Sequence, residues 1–188
     1  MAPTVKEPPE KFDVMVETLI VGAGACGLIA ALSAAEAGQE VLVIEADAVP
    51  SGSTALSAGL IPAAGTKIQQ AAGVKDSTAL FAADIQAKAH QENNQELVDL
   101  LAQNAAEVID WLTQTQGLAF SLVDDFDYPG HSSRRMHGLP TRAGSELIDA
   151  LRSAAEGAGI DIICGRRAET LYLQDGLAHG VAAQRPGG

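Results

Sequence analysis

Residues 17–45 read Glu-Thr-Leu-Ile-Val-Gly-Ala-Gly-Ala-Cys-Gly-Leu-Ile-Ala-Ala-Leu-Ser-Ala-Ala-Glu-Ala-Gly-Gln-Glu-Val-Leu-Val-Ile-Glu, and this stretch decides the fold. Apolar runs at 18–21 and 40–44 predict two strands, and the alanine-rich segment 25–37 predicts a helix that Gly38 stops. A Gly-x-Gly-x-x-Gly turn joins the first strand to the helix. A strand, this turn, a helix and a second strand within about 30 residues are typical of a βαβ unit that binds a dinucleotide.

Each glycine of the turn has a physical task in this interpretation. Gly22 allows the tight turn, Gly24 lets the backbone approach a pyrophosphate, and Gly27 lets the helix pack closely on the strand. The N-terminus of the helix then points its free N–H groups at the phosphates. Glu45 ends the second strand, where its carboxylate can accept hydrogen bonds from ribose hydroxyls. The residues therefore predict an ADP-containing dinucleotide, and Glu45 is compatible with NAD as well as FAD.

Composition excludes several classes of function. The chain has 188 residues, with 24 acidic and 12 basic side chains and a net charge of −12, which argues against nucleic acid or an anionic membrane as partner. Residues 18–35 carry no charge, but their three glycines and the strand that follows favour a buried strand and helix over membrane insertion. Two cysteines in unrelated contexts, Cys26 and Cys164, predict neither a disulfide framework nor a metal site, and favour a reduced, cytoplasmic protein.

The order of elements along the chain predicts an α/β fold with a parallel sheet. Residues 1–16 contain Pro3, Pro8 and Pro9 and are expected to be a flexible extension, and residues 17–188 to form one domain. Asp175-Gly176 is expected to turn a β-hairpin with arms at 170–173 and 178–183. Further elements are predicted as helices at 77–91, 94–115 and 145–155, strands at 118–123 and 160–164, and loops at 50–65 and 124–142.

The helix predicted at 94–115 has an apolar side. Asn94 is expected to cap its N-terminus, and a core-facing stripe is expected from five side chains: Leu97, Leu101, Val108, Trp111 and Leu112.

Four blocks of the sequence, within residues 13–183, resemble the FAD-binding N-terminal portion of the succinate dehydrogenase and fumarate reductase flavoprotein superfamily. That superfamily includes L-aspartate oxidase and the 3-ketosteroid dehydrogenases. The first block is the fingerprint above. The second reads Ser51-Gly52-Ser53-Thr54-Ala55-Leu56-Ser57-Ala58-Gly59-Leu60 and is similar to the loop that wraps the flavin. Hydroxyls and N–H groups of such a loop can bond phosphate and flavin oxygens, and glycines permit close approach.

The resemblance implies which residues hold FAD. In succinate dehydrogenases a histidine of the second block links covalently to the flavin, and Ser53 stands at that position here, which implies non-covalent FAD. Cys26 lies in the first helical turn, where we favour a packed small side chain over a reactive thiol. The cofactor-binding residues implied are Gly22, Ala23, Gly24, Ala25, Cys26, Gly27, Glu45, Ala46, Gly52, Ser53, Thr54, Ser57, Ala58, Gly59 and Ala168.

The third block, Gly130-His131-Ser132-Ser133-Arg134-Arg135-Met136-His137, is similar to a segment of L-aspartate oxidases and fumarate reductases. Two interpretations stay open. The arginines and histidines can bind a dicarboxylate or an anionic flavin. Alternatively, this is a surface turn whose arginines pair with Asp124, Asp125 and Asp127.

The fourth block, 168–181, resembles the hairpin after the second FAD strand, where the backbone at Ala168 meets the adenine. In relatives the chain continues into a substrate-capping domain, so this chain is expected to be a truncated FAD-binding domain that is inactive alone. The resemblance implies an FAD-dependent oxidoreductase with a small-molecule substrate. The alternatives are a dinucleotide-binding module without catalysis and an NAD-dependent dehydrogenase. No catalytic residue is identified.

Overall fold

The computed structural model describes residues 4–185, which contain nine strands and six helices. The strands are β1 (Thr4–Lys6), β2 (Thr18–Val21), β3 (Val41–Ile44), β4 (Ile61–Pro62), β5 (Ser121–Leu122), β6 (Met136–Gly138), β7 (Asp161–Ile163), β8 (Arg167–Gln174) and β9 (Leu177–Gln184). The helices are α1 (Ala25–Glu36), α2 (Gly52–Ala55), α3 (Lys67–Ala71), α4 (Thr78–Lys88), α5 (Gln95–Gln114) and α6 (Gly144–Gly157).

The chain divides into two compact units, whereas the sequence analysis treated 17–188 as a single domain. The first unit comprises the described residues of Met1–Leu56 and Leu147–Gly188, and the second comprises Ser57–Glu146. Both fingerprint strands belong to the first unit.

A three-stranded parallel sheet in the order β2-β3-β7 organises the first unit. Its strands are short and rich in Leu, Ile and Val, and Val43 is fully buried in the central strand. Helix α1 connects β2 to β3 and packs on both, with Leu28, Ala31 and Leu32 buried. The predicted βαβ unit and parallel sheet are confirmed, because a helix that connects two neighbouring strands and packs on both makes those strands parallel.

The predicted hairpin is also confirmed and is longer than expected. Strands β8 and β9 pair antiparallel, and Asp175 and Gly176 both have positive φ angles of 52° and 78° at the turn. Two positive φ values are what a tight turn needs to match the twist of its strands.

The N-terminal segment departs from the expected flexible extension. Strand β1 pairs parallel with β8, and the hydroxyls of Thr4 and Thr170 are 2.9 Å apart. Phe12 then packs edge-on against Tyr172, with ring centroids 5.7 Å apart. The prolines discourage helix, but Thr4 and Val5 are β-branched and find an unpaired edge of β8, which the sequence analysis did not consider.

The second unit combines helices α3, α4 and α5 with a small antiparallel sheet in the order β4-β6-β5. Phe81 of α4 and Ala102 of α5 meet Ala64 in its core. Strands β4 and β6 and helices α2 and α3 lie where the sequence analysis expected loops or predicted no element. These elements are two to five residues long, too short for a periodic pattern to reveal.

Helix α5 begins as predicted, because the Asn94 side chain accepts a hydrogen bond of 3.1 Å from the Leu97 N–H. The expected core stripe was wrong for three of its five side chains, whereas Leu112 is buried and Trp111 is half-buried. The buried side chains are Val98, Ala102, Ile109 and Leu112, whereas Leu97, Leu101 and Val108 are exposed. The helix is apolar over a wide arc, and the part of that arc facing the core cannot be chosen from spacing alone.

Candidate functional site: the fingerprint turn and its acid

The fingerprint turn is held shut by backbone contacts. Gly22 has a φ of 102°, a conformation that favours glycine, and its N–H donates to the Ile44 carbonyl at 2.7 Å. A Cβ placed on Gly27 would lie 1.9 Å from the Gly22 carbonyl oxygen. Gly22 therefore allows the tight turn, and Gly27 allows the helix to lie close to the first strand and the turn.

Gly24 is different, because the protein gives no steric reason for a glycine there. It occupies the N-cap of α1 with a φ of −71°, and no side chain caps the helix. A Cβ at this position would meet nothing within 4 Å. The open space at a helix start with free N–H groups and no acidic residue in its first turn suits a phosphate group.

Glu45 lies beside this turn and is anchored at both carboxylate oxygens. Oε2 accepts from the Ala23 N–H at 2.7 Å, and Oε1 accepts from the Asp47 N–H at 2.8 Å. A carboxylate has about four acceptor positions, so two stay available for hydroxyl donors. The acid is thus fixed in place next to the fingerprint, and it also supports the turn, a role the sequence analysis did not foresee.

The segment after β7 wraps around the same acid. The Glu45 N–H donates to the Ile163 carbonyl at 2.9 Å, and its carbonyl accepts from the Arg166 N–H at 2.7 Å. Burial and the nearby Glu45 charge raise the pKa of the Cys164 thiol. Local sequence pattern does not reveal these contacts of Glu45, because residues about 120 apart are brought together only by the β3–β7 pairing.

The other predicted residues of the first unit differ in exposure. Ala23 is fully buried, Ser53 is exposed and Ala46 is half-buried. Cys26 is also exposed, so the packed side chain expected there was wrong. Ala168 lies in β8, half-buried and opposite Ala183. The segment holding Gly52, Ser53 and Thr54 forms the short helix α2, in which Gly52 has a φ of 58°.

Three predicted residues, Ser57, Ala58 and Gly59, belong to the second unit. Gly59 has a φ of 61°, and a Cβ there would lie 2.7 Å from the Ala143 carbonyl oxygen. The Ser57 hydroxyl accepts from the Gly59 N–H at 3.0 Å. Packing within the protein therefore requires a glycine at position 59, in addition to the close approach of the cofactor that was predicted for it.

The third block is mostly committed to internal bonds. The Arg134 Nε donates to Asp127 at 2.7 Å, as the surface-turn interpretation predicts. Arg135 instead is fully buried, bonded to Asp76 at 2.9 Å and to Asp84 at 2.5 Å, with Phe81 beneath its guanidinium. Burial alone would lower the Arg135 pKa, but the hydrogen bonds to both aspartates raise it.

His137 is also internal. Its Nε2 lies 2.9 Å from the Thr66 hydroxyl and its Nδ1 lies 3.0 Å from the Arg135 carbonyl, and burial lowers its pKa. Burial likewise lowers the pKa of His131, whose Nδ1 has no hydrogen-bond partner within the described residues. These positions favour a structural role for Arg135 and His137 over dicarboxylate binding.

Within residues 4–185, no group of three or more His, Cys, Asp or Glu side chains could hold a metal ion. No helix there combines the length and apolarity needed to cross a bilayer.

Comparison with known proteins decides the family. A family model described as FAD binding domain matches residues 17–188. The chain belongs to this FAD-binding domain family. FAD, rather than NAD, is therefore the cofactor of this domain.

Curated relatives of this FAD-binding domain are reductases. A protein of Shewanella frigidimarina named as a probable fumarate reductase is 36% identical over 163 residues, covering 85% of this chain and 27% of the relative. A urocanate reductase of Eggerthella lenta is 30% identical over 171 residues, covering 91% of this chain and 28% of the relative. The chain thus spans less than a third of the length of these relatives.

Solved structures agree on the fold. The open conformation of a flavocytochrome c3 fumarate reductase superposes with a TM-score of 0.74 at 32% identity, covering 93% of this chain and 28% of that one. A 3-ketosteroid-Δ4-(5α)-dehydrogenase from Rhodococcus jostii superposes with a TM-score of 0.81 at 22% identity, covering 100% of this chain and 46% of that one. The second match shows the fold alone.

Proposed function

We propose that the fingerprint turn and Glu45 bind the ADP portion of FAD without a covalent link. The pyrophosphate lies against Gly24, Ala25 and the N-terminus of α1, and the ribose hydroxyls donate to Glu45. Ala46 and Ala168 border the adenosine, and the serine- and glycine-containing loop faces the remaining part of FAD. Within the first unit the complete proposed set is Gly22, Ala23, Gly24, Ala25, Cys26, Gly27, Glu45, Ala46, Gly52, Ser53, Thr54 and Ala168.

The vacant space at Gly24 carries this proposal. The protein's own packing does not require a glycine at position 24, which lies at the uncapped start of the 12-residue helix α1. This indicates that a group from outside the chain needs the space. A pyrophosphate has the charge that the helix N-terminus favours.

Ser53 supports a non-covalent cofactor. It occupies the position at which the resemblance places a linking histidine, and a serine hydroxyl cannot replace the imidazole in that bond. Ser53 is exposed, so its hydroxyl is available to donate a hydrogen bond.

We further propose that the chain is the cofactor domain of a flavin-dependent reductase like its fumarate and urocanate reductase relatives, acting on a small organic acid in the cytoplasm. FAD supplies the two-electron chemistry when bound, and the protein supplies binding and orientation. In the described chain, the α1 N-terminus holds the phosphates and Glu45 fixes the ribose. Both cysteines are free thiols, which agrees with a reducing compartment.

Titration of the purified chain with FAD tests the proposal. Gly24→Val should weaken FAD binding about tenfold or more, equivalent to about 1.4 kcal/mol, because the side chain fills the space the phosphates need. Gly157→Val is the matched control: its Cβ also meets nothing within 4 Å and it lies at the end of α6, so FAD binding should not change.

Two results would contradict the proposal. Equal FAD affinity in Gly24→Val and the parent would mean that the fingerprint does not contact the cofactor. Yellow colour that stays in the pellet after acid precipitation of the FAD-loaded chain would show a covalent link.

A further inference from the structure

Helix α5 has two apolar stripes side by side. The inner stripe, Val98, Ala102, Ile109 and Leu112, is buried. We call the second one the outer stripe: Leu97, Leu100, Leu101, Val108 and Trp111. At 3.6 residues per turn the outer stripe covers an arc of about 100°, directly adjoining the inner one.

The outer stripe is largely uncovered. Leu97 is 65% exposed, Leu100 60%, Leu101 51% and Val108 37%. A surface helix normally presents one apolar stripe of about 100°, and a helix with a wider apolar arc is normally covered on more than one side. Exposed apolar patches bordered by polar residues mark sites of protein–protein contact. The outer stripe therefore has the form of a docking surface.

The charges of α5 define what can cover it. The helix contains four acidic residues, Glu96, Asp99, Glu107 and Asp110, and no basic residue. By helical position, Glu96 and Glu107 border the outer stripe on the side away from the core. Asp110 accepts a hydrogen bond from the Lys67 backbone N–H at 3.1 Å, whereas no ion pair within residues 4–185 involves Glu96 or Glu107.

We propose that the outer stripe docks an amphipathic helix of a partner protein, with leucine-type side chains on its contact face and Lys or Arg along one border. The apolar face packs on the outer stripe, and the basic border pairs with Glu96 and Glu107. This is recognition of a helix by an apolar surface, in which charges at the rim select the partner.

A second copy of this chain fits the same surface poorly. Glu96 and Glu107 border the same side of the stripe, and α5 carries no basic residue. Two copies packed antiparallel about a two-fold axis would bring the acidic borders of both helices to the same side of the contact. Like charges in such positions oppose association, and each copy also carries a net charge of −12.

Fluorescence of the single tryptophan, Trp111, can measure this docking directly. The probe is a synthetic amphipathic helix of about 18 residues with leucines at i, i+3, i+4 and i+7 and lysines along one border. A second peptide has glutamate in place of every lysine. We expect a saturable change of Trp111 fluorescence with the lysine peptide and none with the glutamate peptide.

Substitutions that leave the charge unchanged separate docking from general attraction. Leu97→Gln/Leu101→Gln should weaken binding of the lysine peptide about tenfold, because it removes two of the exposed leucines that form the contact surface. The matched control Leu177→Gln changes a leucine that is 67% exposed in β9, and it should bind like the parent. Leu100→Gln alone serves if the double variant does not fold.

Three outcomes would overturn the proposal. The lysine peptide could produce no saturable change, or it could bind the Leu97 and Leu101 variant as tightly as the parent. Sedimentation could also show a dimer of the parent that Leu97→Gln/Leu101→Gln dissolves, and a second copy would then be the occupant.

Discussion

Three glycines in one motif have different physical reasons in this molecule. Gly22 is needed for its positive φ. Gly27 is needed because it lies against the Gly22 carbonyl oxygen, and a Cβ on residue 27 would be only 1.9 Å from that oxygen. Gly24 needs neither. The motif therefore combines two glycines that build the turn with one that leaves space beside it, and only the last is free to change without disturbing the fold.

Glu45 supports the turn and is proposed to bind the ribose, which makes its substitution informative. Glu45→Ala removes the acceptor for the Ala23 and Asp47 N–H groups, so we expect the free energy of unfolding to fall by about 1–3 kcal/mol. FAD and ADP should also bind more weakly, whereas FMN, which lacks adenosine, should bind no worse. Thermal melts and titrations with the three nucleotides measure these effects.

Glu17→Ala is the matched control for that substitution. Glu17 also accepts a backbone N–H with its carboxylate, from Glu40 at 2.7 Å, but it stands at the other end of the strands. Glu17→Ala should lower the free energy of unfolding without changing the affinity for ADP. Equal loss of ADP affinity in both variants would show that Glu45 acts only through the stability of the fold.

At the scale of elements, the segment 130–137 shows how neighbouring residues of one type acquire opposite environments. The Arg134 side chain is 45% exposed and pairs with an aspartate that is 77% exposed. Arg135 is fully buried together with Asp76, and Gln69 donates to the same aspartate at 3.0 Å. Strand β6 begins at Met136, so the Arg135 side chain is fixed at the point where the chain enters the sheet.

Replacing the two arginines in turn should therefore give unequal losses of stability. Arg135→Met leaves Asp76 and Asp84 without their cation, and removing one partner of a buried ion pair costs about 3–5 kcal/mol. Arg134→Met should change the free energy of unfolding little, since exposed pairs are weak. Denaturant unfolding of both variants measures the difference, and equal losses would contradict the buried network.

Two histidines, the half-buried His131 and the buried His137, predict how stability depends on pH. Burial lowers the pKa of His131 and His137 below the usual 6.5, so the folded chain takes up protons less readily than the unfolded chain. The free energy of unfolding that the two neutral histidines contribute is fully present above about pH 6.5, and it is lost as the pH falls through their lower pKa in the folded chain. The lowered pKa of Asp84 acts at more acidic pH: burial raises it, but hydrogen bonds from Ser132 and Arg135 outweigh this.

Melting temperatures between about pH 7.5 and pH 5.5 check this expectation. The parent should lose stability over this range, and His131→Gln/His137→Gln should lose less, whatever its stability at pH 7.5. The slope is the diagnostic quantity, because a merely weakened core would shift both melting temperatures together. Identical slopes in the two proteins would show that neither histidine carries the effect.

At the scale of the whole molecule, the sequence predicted what local pattern specifies. The βαβ unit was predictable because its glycines, apolar strands and Glu45 each require a fixed local geometry. The outcome was different for α5, where apolar residues cover about 200° of the helix and tertiary packing decides which part is buried. The partners of Arg135 were equally hidden, because Asp76 and Asp84 reach it from segments more than 50 residues away.

The last prediction concerns catalysis by the 188-residue chain itself. A reductase must hold its substrate against the flavin and exclude water. The third block offered the strongest candidates for binding an acid, but Arg135 donates to Asp76 and Asp84, and both ring nitrogens of His137 have partners within the protein. We therefore expect the chain with reduced FAD to transfer electrons to fumarate or urocanate no faster than free reduced FAD.

Anaerobic reoxidation of the flavin, followed by its visible absorbance, measures the rate. Turnover of roughly 10 per second would refute this expectation. Arg134 and His131 would then be the leading candidates, because Arg134 is partly exposed and His131 has an unpartnered nitrogen, and loss of that turnover in His131→Gln would identify the group responsible.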